Sequence, residues 1–107
     1  MRLYSDQTDS VPDAFSFTAQ TNAARSTLMQ SNTITVQGMT TGVTISVSNG
    51  VYNISGGSFT ASAGTVFSGD QVILALTSSA SYSTLSTAIL TIGSVTGALA
   101  VTTLAEA

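Results

Sequence analysis

Residues 71–103 (QVILALTSSASYSTLSTAILTIGSVTGALAVTT) constrain the fold more than any other part of the chain. This stretch holds three apolar runs, at 72–76, 88–92 and 98–101, each bounded by serine, threonine or glycine and each about one strand long. None shows the 3.6-residue period of a helix. Gly93 and Gly97 bracket a short connection between the last two runs. That spacing predicts an antiparallel hairpin, because glycine accepts backbone angles that other residues resist. The stretch builds a sheet and displays no chemistry of its own.

The same pattern extends upstream. AFSFT at 14–18 alternates and places Phe15 and Phe17 on one face; Leu28 and Met29 continue that edge after a polar interruption at 20–26, giving a first, broken strand. NTITVQG at 32–38 turns Ile34 and Val36 inward, and VTISVS at 43–48 does the same with Val43, Ile45 and Val47. Asn49-Gly50 predicts a hairpin into a strand at 51–55, since both residues tolerate positive φ. Gly56-Gly57 predicts a second tight turn into a short strand around Phe59, so that these strands form a meander. Residues 61–69, with Gly64 and Gly69 as breakers, read as an open loop or crossover. The sum is seven to eight short strands at intervals near the roughly 8–12 residues of a sandwich. The fold class is all-β.

Composition removes whole classes of function. The chain of 107 residues supports one core and contains no cysteine or histidine; its only cations are two arginines. Serine nucleophiles therefore lack a partner base other than a carboxylate, and no thiol is available as nucleophile or metal ligand, so no enzyme activity, catalytic residue or cofactor is expected. The net charge of −3 leaves no basic patch for nucleic acid or an anionic membrane surface. No apolar run approaches the ~20 residues of a membrane span, and the opening MRLYSDQTDS has no apolar segment of the kind a secretory signal needs. Charged residues are 7% of the chain against about 25% in ordinary domains. Serine and threonine, about a third of the residues, keep the surface polar instead. Sheet edges are usually protected by charge, above all by lysine, so such a chain is expected to have its edges covered by partners or neighbouring domains.

A few residues stand out as candidates. Residues 1–11 differ in composition from the rest and end at Pro12, the only proline, which disfavours helix before it. They are expected to form an extended N-terminal arm that docks on a partner, with Leu3 and Tyr4 as apolar anchors and Arg2 as its charged tip. The domain proper is expected at 12–103, with a short tail at 104–107. Asp13 and Asp70 border strands and could meet at one end of a sandwich, where Ca²⁺ would need several further oxygens; the alternative is that both bond loop amides. Tyr82, at a corner before a late strand, is expected to pack its ring inward and bond backbone with its hydroxyl, as a tyrosine corner does. Tyr52 and Phe67 are either core or exposed aromatics that stack a partner or sugar.

Several blocks taken together resemble a known family. PDAFSFT at 12–18, SNTITVQG at 31–38, YNISGGSFTASAGTVFSGDQV at 52–72, LTSSASYST at 76–84, AILTIG at 88–93 and AVTT at 100–103 are similar to the Ig-like β-sandwich repeats of large bacterial surface or secreted proteins and of phage structural proteins. The resemblance covers about residues 12–103 and implies a single Ig-like antiparallel sandwich. The family usually occurs as tandem copies in long exported chains, whereas this sequence holds one copy with no internal repeat. That departure points to a phage virion protein assembled in the host cytoplasm, a capsid decoration or tail component. Its partners would be other virion proteins and further copies of itself. The alternative is a carbohydrate-binding or host-surface adhesin module of a larger bacterial surface or secreted protein, with a host-surface glycan as partner. The shared blocks are turns and core positions, so the resemblance carries over no catalytic residue.

Overall fold

The computed structural model describes residues 12–106. The arm residues Arg2, Leu3 and Tyr4 lie outside them. Among the described residues there is no helix; the nine strands are β1 Gln20–Ala23, β2 Leu28–Gln30, β3 Ile34–Thr35, β4 Val43–Ser48, β5 Val51–Ile54, β6 Gly64–Val66, β7 Gln71–Thr77, β8 Leu85–Ile92 and β9 Val95–Thr103. They form two sheets. The first has the order β1-β9-β8-β4-β6; in the second, β7 is central, with β5 on one side and β2 and β3 in succession on the other. β1 runs parallel to β9, so the first sheet is mixed and not wholly antiparallel.

The hairpin predicted for residues 88–101 forms the centre of the first sheet. β8 and β9 pair from Leu85↔Thr102 to Ile92↔Val95 across a two-residue turn that Gly93 opens at φ 61. Gly97 lies inside β9 and not in the turn. A Cβ there would stand 2.7 Å from Phe15 Cε1, so the missing side chain makes room for that ring. Phe15 and Phe17 meet edge to face at 5.9 Å in this place, and Phe17 is buried. Their segment is not the expected first strand. That strand is β1, inside the expected polar interruption: it is held by backbone pairing to β9 and buries only Ala23, so it has no apolar period to read.

Inner faces close the core. Ile45, Val66, Ala88, Leu90, Ile92, Leu99 and Val101 come from the first sheet, and Ile34, Tyr52, Val72, Leu74 and Leu76 from the second. Asn49-Gly50 is not a hairpin, and the predicted meander is not formed: β4 and β5 belong to opposite sheets. Asn49, at φ 62, donates from Nδ2 to Thr87 O at 2.8 Å. A Cβ on Gly50 would lie 2.6 Å from Ala75 O and 2.8 Å from Ala88 Cβ, one contact in each sheet. The same two residue types that favour a hairpin here let the chain step between sheets. Residues 61–69 likewise contain a strand, β6, which pairs with β4. The return after Gly56-Gly57 is reduced to a single bridge, Tyr52↔Thr60.

β2 and β3 are one strand interrupted at Ser31. Ser31 N donates to Leu74 O at 2.7 Å, and its Oγ accepts from Leu74 N at 2.9 Å, standing in for a ladder carbonyl. Asn32 points the other way, accepting from Thr18 N and donating to Ser16 O, and so ties residues 16–18 to the break.

Two substitutions test this account. Gly50→Ala forces a methyl against a backbone oxygen that has no freedom to move aside. It should destabilise by about 1–3 kcal/mol in urea unfolding. Ser31→Ala leaves Leu74 N buried without an acceptor and should also cost about 1–3 kcal/mol. Ser46→Ala, on an outer face, should stay within about 0.5 kcal/mol.

Candidate interaction surfaces

Among the described residues no strand carries a charged residue. Among the described residues the charges are Asp13, Arg25, Asp70 and Glu106, all outside strands. Both sheet faces and edges are therefore neutral. The outer face of the first sheet is built from side chains alternate to the core: Leu85, Thr87, Ile89 and Thr91 on β8, with Thr96, Ala98, Ala100 and Thr102 opposite them on β9. Leu85 is 60% exposed and Ile89 42%, so two aliphatic side chains project from a field of threonine and alanine.

The two aspartates tie loops, Asp70 through its carboxylate and Asp13 through its backbone. Asp70 Oδ2 accepts from Phe67 N at 2.9 Å, closing the turn before β7 as a turn aspartate does. Asp13 bonds through its backbone, N to Gln37 O at 2.8 Å, and its carboxyl lies beside Gly38, where a Cβ would collide with Oδ1. Gly38, at φ 89, has no side chain to collide with it. Both aspartates border the segment after β3, since Val36 N donates to Asp70 O. Among the described residues no group of three or more acidic side chains comes together.

Tyr82 differs from expectation, whereas Tyr52 takes the core alternative. Tyr82 is 37% exposed, and its ring carries the Arg25 guanidinium at 4.0 Å from the centroid, with Arg25 Nη1 donating to Ala80 O. Its ring lies on the surface and does not enter the core. The core tyrosine is Tyr52, 1% exposed, whose hydroxyl donates to Ser62 O at 2.6 Å. Its alternation with Val51 and Asn53 gave a sign too weak to choose a face. Being enclosed, Tyr52 offers no ring for stacking a ligand. Phe67, 56% exposed, does present a ring, which rests against Gly42. The tail is partly structural: Leu104 N donates to Ala23 O and Ser83 N to Leu104 O.

Burial raises the Tyr52 phenol above its ordinary pKa of 10.0. In the unfolded chain the phenol ionises at the lower, ordinary pKa, so its contribution to stability is complete below about pH 10 and is lost as pH rises through the folded value. Alkaline titration of the melting temperature should show this decline, and Tyr52→Phe should flatten it. At neutral pH the same variant should cost about 1 kcal/mol through the lost bond to Ser62.

No protein-family model matches the chain, and neither a curated protein nor a solved structure shows similarity to it.

Proposed function

We propose that the chain is a non-enzymatic Ig-like structural module of a phage particle, a capsid decoration or tail component held in place by neighbouring virion proteins. The observation that carries the reading is the absence of charge from all nine strands. Free sheet edges and faces are ordinarily guarded by charged side chains against pairing with other chains. Here β1 and β6 end the first sheet with QTNA and GTV, and Leu85 and Ile89 stand exposed between them. A domain so built is suited to a place where other subunits cover it. Two sheets over one core, with β4 to β5, β6 to β7 and β7 to β8 crossing between them, support the Ig-like assignment. The threonine-rich outer face supports close, dry packing without the desolvation cost of buried charge.

The test is direct localisation. Antibody raised against the full chain should label purified particles at regularly spaced sites, and mass spectrometry of those particles should detect the chain at fixed stoichiometry. Removing residues 1–11 should then reduce attachment to stripped particles. Absence of the chain from particles would overturn the reading, and labelling of a bacterial surface instead would replace it with the adhesin.

A further inference from the structure

Residues 57–64 fold back against β5 and are held there at several points. Tyr52 and Thr60 exchange two backbone bonds, at 3.0 and 2.9 Å; Gly57 N donates to Ile54 O; the Tyr52 hydroxyl reaches Ser62 O. A cleft of about 300 Å³ remains between this segment and the strand. Asn53 is part of its lining. Asn53 is 8% exposed, and its Oδ1 is buried with no hydrogen-bond partner, the only such side-chain atom among the described residues. An unpaired buried carbonyl weakens a fold, and a β-branched or aliphatic side chain would suit the strand better.

From this geometry we infer that the cleft is a binding site for a single neutral sugar residue, recognised by the Asn53 amide. The rest of the lining argues for that class. The hydroxyl residues Ser58, Thr60 and Ser62 line it beside the apolar Ile54 and Ala63, Gly57 and Gly64 add no side chain, and no charged residue takes part. An ionic ligand would lose its hydration with nothing to balance its charge. An asparagine amide both donates and accepts, which matches two adjacent hydroxyls of a sugar ring. The volume lies at the small end of ligand pockets and suits one ring. The χ2 torsion of asparagine is soft, so the amide can reorient to meet a ligand. The inference is independent of the virion reading, because a particle protein and a surface adhesin can each carry such a site.

The test is a titration of the ¹⁵N-labelled full chain with D-glucose, D-galactose and N-acetyl-D-glucosamine, with cationic glucosamine as the charged control. At least one neutral sugar should give saturable shifts at the Asn53 side-chain amide and at Thr60 and Ser62, and glucosamine should bind more weakly. Asn53→Leu should weaken binding about tenfold or more while leaving the melting temperature unchanged or higher. Ser58→Ala, in the exposed segment, should weaken it by a smaller factor without touching the fold. No saturable shift with any neutral sugar, or parental binding by both variants, would overturn the inference. So would a lowered melting temperature for Asn53→Leu, since the amide would then serve the fold.

Discussion

Every buried backbone group in a sheet must find a partner, and β7 is where this requirement bears hardest. It is the only strand of the second sheet with neighbours on both sides, and its residues 72, 74, 75 and 76 are all buried. No single strand runs along its whole length on either side. β2 covers one end, β3 the other, and the gap at Ser31 falls opposite Leu74. The serine hydroxyl closes that gap, accepting from Leu74 N and donating to Asn32 O. The break is thereby made compatible with a dry core.

The same solution recurs at the other interruptions. Ser78, buried just past the end of β7, donates to Ala24 O and accepts from Thr27 N, which fixes the connection between β1 and β2. Thr103, buried at the end of β9, donates to Ser81 O and accepts from Thr84 N, holding the approach to β8. Hydroxyls serve here because they both donate and accept at short range with no net charge to desolvate. A chain with almost no ionic side chains can therefore pair its interrupted ladders inside while its strands remain short. The hydroxyl-rich composition thus has a structural cause in the interior as well as a solubility role outside.

What was legible from residues alone follows from where apolar side chains alternate. β4, β7, β8 and β9 were each readable as a strand from an apolar run, and for β4 the inward set Val43, Ile45 and Val47 was readable as well. β1 and β6 were not, because QTNA buries only Ala23 and GTV only Val66. Such strands are defined by backbone pairing to β9 and β4, which leaves no trace in hydrophobicity. Asn49-Gly50 misled for a different reason. Positive φ was inferred correctly at Asn49 but is not taken at Gly50; the need the pair meets is the narrow passage between Ala75 and Ala88. Glycine reports that space is short without reporting which neighbour takes it. Gly97, taken for a turn residue, makes room for Phe15 in the same way.

β5 shows how adjacent positions on one strand separate stability from recognition. Tyr52 and Asn53 point to opposite sides of the strand, and both are enclosed by residues 57–64 and the sheets. Tyr52 is fully provided for: its ring fills the core, its backbone pairs with Thr60, and its hydroxyl reaches Ser62. These bonds hold the returning segment in place whatever the cleft contains. Asn53 then sits on a strand whose position is already settled by its neighbour and by the ladder to β7. Its unpaired oxygen adds nothing to the fold, which would tolerate an apolar residue of similar volume at that position. A polar group kept where packing does not require it, beside a cleft that its neighbour keeps open, is arranged for something that arrives from outside.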